Sequence, residues 1–291
     1  VYAPACYDGR RIERQFLRDL DRYPVSSSIV APHAEFGDMH LIEISRGCGR
    51  GCRFCLAGYW YRPPRERSLE AVLQQAREGL SAVRKVGLVA AAVSDYTHVE
   101  ELVAELQRMG AEISVSSLRV APLSSRLVAA LAAGKSRSIT FAPEAGSERL
   151  RRAINKCVGY DDIMAAIRLA AEHRFESLKL YFMVGLPGEE DQDIDDLVRL
   201  VREIAGLYPR NIVVNVTPFV PKAHTPFETA GMAPEAVLKE RMDRIRSALR
   251  NRQVEVRAEA ILEARAQGVL ARGDRALGEA LAGSRSSTVK G

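Results

Sequence analysis

The chain has little of several residues that mark particular protein classes. Its 291 residues include one tryptophan and five cysteines, and aromatic residues make up only 6%. The odd number of cysteines and the lack of an apolar opening segment argue against a secreted, disulfide-stapled protein, since a chain of this length can bury a core without covalent links. No apolar run reaches the roughly 18 residues that a membrane-spanning helix needs, so we expect no membrane partner.

The charge balance excludes little by itself. The 42 basic and 37 acidic residues give a net charge of +5, which is too small and too dispersed to indicate nucleic-acid binding. Nucleic acid therefore stays open as a partner. Hydrophobic residues make up 47% and charged residues 27%, as in an ordinary globular protein.

Three of the five cysteines lie within eight residues, in the sequence Cys48-Gly-Arg-Gly-Cys52-Arg-Phe-Cys55. They follow an apolar run over residues 40–45 that predicts a strand. This spacing allows three thiolates to bind three irons of a 4Fe–4S cluster, which leaves the fourth iron open to a substrate or cofactor. Glycines at 47, 49 and 51 suit a tight loop around such a cluster. We expect Cys48, Cys52 and Cys55 to be metal ligands.

A zinc site is the main alternative for these cysteines. Structural zinc normally recruits four ligands in two pairs, and no second pair of cysteines or histidines follows. The remaining cysteines, Cys6 and Cys157, are isolated, and the five histidines are scattered. We therefore favour the iron–sulfur cluster and expect Cys157 to be a buried or inert thiol. Reduced thiols and such a cluster predict a cytoplasmic protein.

Apolar runs and amphipathic segments alternate along the chain. The predicted strands are residues 41–45, 87–93, 112–116, 138–142, 178–184 and 211–217. The helical segments between them predict crossover connections and hence a parallel sheet. We predict an α/β fold, a partial (βα)6 TIM-like barrel, with an open doubly wound sheet as the alternative. Both folds gather ligands at the carboxyl ends of the strands.

The chain divides into three predicted parts. Residues 1–35 are mixed in composition, and the chain begins at Val1 rather than methionine, so we expect a lead-in or linker from an upstream domain. Residues 36–250 form the barrel core, which ends in a helix from Met232 to about Arg250. Residues 251–291 form a helical C-terminal extension, with a charged, alanine-rich helical tail over 252–282.

Each predicted strand ends in side chains suited to binding. Three aromatics and the arginines at 62, 65 and 67 follow the cysteine loop, where they would either bind an anion beside the cluster or pack on the barrel rim. Asp95, after the second predicted strand, would either pair with a cationic group of a ligand or cap the next helix. The residues at the next strand ends are Asp95, Ser117, Arg119, Glu144, Gly185 and Gly188.

The cysteine motif, with Phe54 inside its second gap, resembles that of the radical S-adenosylmethionine (SAM) superfamily. Other segments are similar to a subgroup that carries an upstream cobalamin-binding domain. These segments are Glu43-Ile-Ser-Arg-Gly-Cys48, Arg62-Pro-Pro-Arg-Glu-Arg-Ser68, Pro143-Glu-Ala-Gly-Ser147, Val184-Gly-Leu-Pro-Gly-Glu189, Thr217-Pro-Phe-Val-Pro221 and Ala271-Arg-Gly-Asp-Arg275.

The resemblance implies that the open iron chelates the methionyl amine and carboxylate of SAM. It implies further cofactor contacts from side chains at the strand ends. These are Phe54 near adenine, Ser94 and Asp95 in place of the family's usual Gly-Gly-Glu for the methionyl amine, Ser117 and Arg119 at the ribose and carboxylate, and Glu144, Gly185 and Gly188 around the adenosyl group.

The same resemblance implies an activity. The reduced cluster would cleave SAM into methionine and a 5′-deoxyadenosyl radical, which takes a hydrogen atom from a substrate that the sequence does not identify. A reductant such as flavodoxin or ferredoxin would supply the electron, and cobalamin would come from a domain outside this chain. The arginines at 62, 65 and 67 indicate an anionic small molecule as substrate. Modification of tRNA or ribosomal protein by methyl or methylthio transfer, and a non-catalytic iron–sulfur scaffold, are the competing hypotheses.

Overall fold

The computed structural model describes residues 12–31, 33–34, 36–115, 118–134, 136–274 and 276–283. The strands are β1 His40–Glu43, β2 Ser45–Arg46, β3 Arg65–Glu66, β4 Lys85–Val89, β5 Glu112–Val115, β6 Ser138–Glu144, β7 Ser177–Val184, β8 Asn211–Pro218 and β9 Val254–Ala258. The helices are α1 Ala57–Trp60, α2 Leu69–Leu80, α3 Val99–Arg108, α4 Ser125–Ala133, α5 Glu148–Ala153, α6 Tyr160–Glu172, α7 Asp191–Leu207, α8 Glu235–Leu249, α9 Ile261–Arg272 and α10 Ala276–Gly283.

Two parallel sheets form the centre of the fold. The first has the order β1-β4-β5, the second has the order β6-β7-β8-β9, and β2 and β3 make a short antiparallel ribbon. The prediction of an α/β fold with parallel strands is confirmed, and each of the six predicted strands has a counterpart. Within the described residues β5 and β6 are not paired, so the strands do not close into a continuous barrel there.

The core lies between the sheets and their helices. Along β7 the buried residues Leu178, Leu180 and Phe182 alternate with less buried ones, as in a strand covered on one face. Helices α6 and α7 pack on this side with apolar residues at helical spacing. The opposite face of the sheet is more polar and carries Lys179 and Tyr181. No helix in the described part of the chain is long and apolar enough to cross a membrane.

The predicted helical tail is partly wrong. Residues 254–258 form β9, which pairs in parallel with β8 and extends the second sheet. Its burial alternates, with Val254 buried and Glu255 and Arg257 exposed, and this is the period of a strand. The run is short and lies between charged, alanine-rich segments. The helix propensity of those neighbouring residues led the sequence pattern to predict a helix here. The core sheet therefore reaches into the segment that we predicted as a separate extension.

Two further boundaries differ from the sequence prediction. The second predicted strand ends at Val89 rather than at residue 93, because the chain turns into a short 3₁₀ segment at Val93–Asp95. The helix predicted from Met232 begins at Glu235, directly after Pro234. Proline lacks a backbone N–H and is tolerated where a helix starts, which explains the later beginning.

The lead-in is tied to the core by arginines that follow the cysteine loop. Residues 12–31 are irregular except for an isolated bridge between Ser26 and Ile42. The Arg65 guanidinium donates to the Leu17 carbonyl at 2.6 Å, and the Arg67 guanidinium donates to the Leu20 carbonyl. These bonds place the lead-in against the base of the cysteine loop.

Arg67 is a buried ion-pair partner as well. Its side chain is almost fully buried, and it donates to the Glu43 carbonyl at 2.7 Å and to the Glu43 carboxylate at 3.1 Å. Burial raises the pKa of Glu43, but the hydrogen bonds and charges of Arg46 and Arg67 outweigh it and leave this pKa below its usual value. The tip of β1 thus depends on two guanidinium groups.

We predict that Arg67→Met lowers the free energy of unfolding by roughly 2–4 kcal/mol, because the Leu20 and Glu43 carbonyls lose their buried donor and the Glu43 carboxylate loses one of its two guanidinium partners. Urea unfolding followed by circular dichroism measures this loss. Arg77→Met, on the exposed face of α2, is the control and should change stability by no more than about 0.5 kcal/mol. If the two variants were equally stable, the hydrogen bonds of Arg67 to the lead-in and to β1 would not stabilise the fold.

Candidate functional site

The cysteine loop lies at the carboxyl end of the first sheet, between β2 and α1. Cys52 is buried, Cys48 and Cys55 are half-buried, and all three are free thiols. The Cys55 amide donates to the Cys52 carbonyl at 3.0 Å, which folds the loop into a turn. Burial raises the pKa of the Cys52 thiol, while the positive charges of Lys156 and Arg119 lower it.

The three thiols suit a cluster better than a single ion. Within the described residues no three His, Cys, Asp or Glu side chains lie close enough to share one metal ion. Thiolates on one zinc ion, each about 2.3 Å from it, must stand within roughly 4 Å of one another. A cubane takes one thiolate per iron, so its three sulfurs need not share one metal ion. Three free thiols in this motif are the donor set that such a cluster needs.

Close backbone contacts fix the shape of the loop. Gly47 has a φ of +90°, and a Cβ at this position would lie 2.1 Å from the Tyr61 carbonyl oxygen. A Cβ on Gly58 would lie 2.5 Å from the Arg50 carbonyl oxygen. The Tyr59 hydroxyl donates to the Gly51 carbonyl at 2.8 Å. Glycine at 47 and 58 is therefore required for the loop to sit against α1.

The anion-binding interpretation of Arg62, Arg65 and Arg67 does not fit their geometry. Arg62 donates to the carbonyls of Gly49 and Arg50 at 3.0 and 3.1 Å. Arg65 and Arg67 are buried and donate to backbone carbonyls. Their hydrogen bonds hold the cysteine loop and the lead-in, so the alternative that these residues pack on the rim is the one the structure supports.

A buried ion pair stands at the end of β6. The Lys156 ammonium lies 3.0 Å from a Glu144 carboxylate oxygen, and both side chains are largely buried. Glu144 has a φ of 72°, an unusual conformation for a residue with a side chain. Burial raises the pKa of Glu144, and the charges of Lys156 and Arg119 oppose that rise. Glu144 therefore lies in the same charged group as Cys52.

Lys156 was missed by the sequence reasoning. Helix α5 is only six residues long, and it turns the chain back so that Lys156 returns to the end of β6. The sequence does show an acid at a strand end, Glu144, followed by a short helical segment and Lys156. This pattern predicts an ion pair only when the length of the helix is known.

The end of β4 carries a second charged pair. The Arg50 guanidinium, from inside the cysteine loop, donates to both oxygens of Asp95 at 2.9 and 3.2 Å. The Arg119 Nε lies 3.7 Å from Asp95, and the Arg119 amide donates to the Ser94 hydroxyl at 3.0 Å. Ser94, Asp95 and Arg119 are thus brought together beside the loop. Ser117 lies outside the described residues.

Phe54 reaches across the site. It packs against a small apolar cluster separate from the main core, made of Ala145, Leu150, Ile154, Leu186 and Phe219. These residues come from the ends of β6, β7 and β8 and from α5 and its C-cap. The cysteine loop and the far strand ends therefore meet, as the predicted arrangement requires.

The turn after β7 is held by an acid. Gly185 and Gly188 have φ angles of +79° and +77°, which favour glycine. The Glu189 carboxylate accepts from the Gly185 amide and from Arg241, each at 2.6 Å. Burial raises the pKa of Glu189 to about 7, against the lowering effect of both donors. The predicted glycine turn is present, and Glu189 and Arg241 fix it to α8.

Cys157 is exposed, so it is not a buried thiol, and the alternative expectation, that it is inert, stays a prediction. Its neighbour Asn155 donates to the Gly51 carbonyl at 2.7 Å and braces the cysteine loop. The segment after α5 therefore lies against the cysteine loop through Asn155, and Cys157, two residues later, is in contact with solvent.

Comparison with known proteins agrees with this geometry. Residues 42–201 match the model of the Radical SAM superfamily, and this match spans the cysteine loop and the strand ends as far as β7. The chain therefore belongs to the radical SAM superfamily, as the cysteine motif predicted. Membership implies a 4Fe–4S cluster and SAM as cofactors.

Several known proteins are similar to this chain. It is 40% identical over 271 residues to an uncharacterized protein of Methanocaldococcus jannaschii, covering 92% of this chain and 60% of that protein. It is 30% identical over 216 residues to a tRNA-2-methylthio-N(6)-dimethylallyladenosine synthase of Pelotomaculum thermopropionicum, covering 69% of this chain and 47% of the synthase. The chain thus spans 60% and 47% of the length of these two relatives. The structure of Escherichia coli coproporphyrinogen III oxidase, a radical SAM enzyme, aligns with a TM-score of 0.48 at 16% identity, covering 73% of this chain and 52% of the oxidase.

We predict that Gly58→Ala lowers the iron and sulfide bound per chain after anaerobic reconstitution by half or more, because the new Cβ pushes the Arg50 carbonyl out of the cysteine loop. Gly206→Ala is the matched control, since it lies in α7 and its Cβ meets no atom within 4 Å. Alanine there should raise helix stability by up to about 1 kcal/mol and leave iron content unchanged. Equal iron content in both variants would contradict the role given to Gly58.

Proposed function

We propose that the protein binds a 4Fe–4S cluster through Cys48, Cys52 and Cys55 and cleaves SAM reductively. When bound, the reduced cluster supplies one electron for breaking a carbon–sulfur bond of SAM, and the resulting 5′-deoxyadenosyl radical acts on a substrate still to be identified. The observation that supports this best is the meeting of the cysteine loop with charged residues from three strand ends beside Cys52.

The charges in the site match those of SAM. The methionyl part carries an ammonium and a carboxylate, and the site holds acids and bases in pairs. Lys156 and Arg119 offer cations for the carboxylate, and Glu144 and Asp95 offer acceptors for the ammonium and ribose hydroxyls. Because each of these charges has a partner of opposite sign within the protein, the side chains would be held in place before SAM binds.

The adenosyl group fits the other half of the site. Phe54 supplies an aromatic surface, and the Gly185–Gly188 turn lets the backbone approach a ligand closely. Glu189 and Arg241 hold this turn in place. These contacts would orient the nucleoside and exclude water from the reacting bond.

The substrate would approach the face of the second sheet that the helices do not cover. Tyr181 on β7 and Asn215 on β8 are paired neighbours on this face, and Lys179 lies two residues before Tyr181 on the same strand and the same face. Their partly exposed polar groups offer donors and acceptors for a polar substrate.

Modification of RNA is a second candidate function. The similarity to a tRNA-2-methylthio-N(6)-dimethylallyladenosine synthase supports it, because the alignment spans 69% of this chain. An RNA substrate would be shown by SAM-dependent change in the mass of a nucleoside from tRNA incubated with the reduced protein. Cobalamin stays a prediction, checked by whether protein expressed from the whole natural gene purifies with the absorbance of a corrinoid.

We predict that reconstituted wild-type protein, reduced with dithionite, forms 5′-deoxyadenosine from SAM, and that Cys52→Ala forms less than about 1% of that amount, since the cluster loses a ligand. Cys157→Ala is the matched control and should keep wild-type activity, because this thiol is exposed and lies outside the three-cysteine motif. Liquid chromatography quantifies the product. If the wild type yields no 5′-deoxyadenosine, the proposed function is wrong.

We predict that Lys156→Met weakens SAM binding about 10- to 100-fold, because it removes a charge-assisted hydrogen bond and leaves Glu144 unpaired. Equilibrium dialysis with labelled SAM measures the change, and circular dichroism checks the fold. Lys239→Met, on the exposed side of α8, should bind SAM like the wild type. A wild-type affinity in Lys156→Met would remove this residue from the SAM site.

A further inference from the structure

Three arginines from separate segments surround one cavity between the lead-in and the ribbon of β2 and β3. The cavity has a volume of about 480 Å³ and is lined by Arg14, Arg46 and Arg65 together with the rings of Phe16 and Tyr61. We call it the basic cavity. Among the described residues that line it, none is acidic. The lead-in, β2 and β3 each supply one arginine.

Arg65 carries a buried nitrogen that the fold leaves without an acceptor. Its Nε donates to the Pro63 carbonyl at 3.0 Å, and its Nη1 donates to the Leu17 carbonyl at 2.6 Å. Its Nη2 is buried and has no hydrogen-bond partner among the described residues. Buried guanidinium N–H groups are normally paired, because an unpaired one loses its water and gains nothing in exchange. Arg65 therefore lacks one acceptor at the wall of the basic cavity.

The cations around the basic cavity outnumber the acid that faces them. Burial lowers the pKa of Arg65, and the positive charges of Arg14 and Arg46 lower it further. Only the charge of Glu43 acts in the opposite direction. Glu43 is already shared, because Arg46 donates to both of its oxygens at 2.7 Å and Arg67 donates to one of them at 3.1 Å. The cavity therefore has an excess of positive charge, which an anion would balance.

Aromatic rings hold two of these arginines next to each other. The Arg14 guanidinium lies 5.6 Å from the centre of the Phe16 ring and 5.7 Å from the centre of the Tyr61 ring. The Arg65 guanidinium lies 5.2 Å from the centre of the Phe16 ring. The face of an aromatic ring attracts a cation, so these contacts oppose the repulsion between the two guanidinium groups. The cations are therefore in position before a ligand arrives.

We propose that the basic cavity binds the phosphate group of a small phosphate ester. Phosphate is tetrahedral, so its oxygens accept hydrogen bonds from several directions, whereas a single planar fork satisfies a carboxylate. Three guanidinium groups on separate segments suit the tetrahedral anion. The cavity is larger than a phosphate group, and Tyr61 at its edge is 45% exposed. The rest of an ester therefore has room to extend toward solvent.

This site differs from the anion site predicted from Arg62, Arg65 and Arg67. Arg62 and Arg67 lie outside the lining of the basic cavity, and their donors hold backbone carbonyls. Arg65 contributes only the nitrogen that its two carbonyl bonds leave over. The proposed cleavage of SAM uses none of the three arginines of the cavity, so phosphate binding does not depend on the proposed function.

The test measures the binding of inorganic phosphate and of 5′-AMP to the reconstituted protein by calorimetry at constant ionic strength. Acetate is the reference anion, and tRNA is titrated separately. The variants are Arg14→Gln and Arg65→Lys. Arg18→Gln is the matched control, because Arg18 is an exposed residue of the same lead-in and does not line the cavity. Circular dichroism checks the fold of each variant, and formation of 5′-deoxyadenosine is recorded alongside.

We expect 5′-AMP and inorganic phosphate each to bind the wild type at least about tenfold more tightly than acetate. Arg14→Gln should weaken the binding of both by roughly tenfold, because a charge-assisted hydrogen bond is lost. Arg65→Lys keeps the charge and loses the planar fork, so it should also weaken binding. Arg18→Gln should bind like the wild type. Arg14 is only half-buried, so Arg14→Gln decides the question even if Arg65→Lys does not fold.

Four results would overturn the phosphate proposal. The first is no binding of either phosphate probe to the wild type. The second is equal affinity in the wild type and Arg14→Gln, which would mean an adventitious ion only. The third is binding of inorganic phosphate without 5′-AMP, which would leave no place for an ester. The fourth is binding of tRNA without 5′-AMP, which would assign the cavity to an RNA backbone.

The same experiment separates this proposal from the proposed function. A wild type that forms no 5′-deoxyadenosine would refute SAM cleavage, and the phosphate affinities would still decide about the basic cavity. A wild type that cleaves SAM and binds neither phosphate probe would refute only the phosphate site.

Discussion

The cysteine loop keeps its position because guanidinium groups donate to its backbone carbonyls and to those of the neighbouring lead-in. A loop that wraps a ligand cannot form the regular hydrogen bonds of a helix or strand, and its carbonyls must find other donors. Arg62 supplies them for Gly49 and Arg50, and Arg67 does so at the tip of β1. Arginine suits this task because its planar fork carries five donors on one side chain. The order of the site therefore comes from side chains that bind the backbone.

Three ion pairs stand at the strand ends around this loop. Each joins an acid at or just after a strand to a base from another segment: Asp95 with Arg50, Glu144 with Lys156, and Glu189 with Arg241. A buried charge without a partner would destabilise the fold by several kcal/mol. Pairing lets the rim hold many charges next to an apolar core. Under the proposed function, a zwitterionic ligand would exchange partners with groups of both signs on this rim.

Sequence patterns revealed the parts of this protein whose signals are local. The spacing of Cys48, Cys52 and Cys55 and the alternation of strands and helices depend on neighbours a few residues apart. The glycines at 185 and 188 were equally visible, and their left-handed backbone explains why glycine is needed. The radical SAM superfamily could be named from these features alone.

The remaining features depend on contacts between distant segments. Lys156 reaches Glu144 only because α5 is short, and β9 is a strand only because β8 offers an open edge. The arginines at 62, 65 and 67 had the composition of an anion site, yet their partners are carbonyls up to 48 residues away. Composition shows that a guanidinium needs acceptors, and only the fold shows which acceptors it finds.

The Trp60 ring lies 5.1 Å from the His224 ring and is tilted by 33° to it, and this contact has a practical consequence. The chain contains a single tryptophan, so all of its indole emission originates within one turn of the cysteine loop. Imidazole nearby quenches an indole more strongly when it is protonated, and an iron–sulfur cluster would quench it by energy transfer. The intensity of the tryptophan fluorescence therefore reports on this one part of the protein. It should change when the cysteine loop binds metal and when the loop after β8 changes conformation, and no added label is needed.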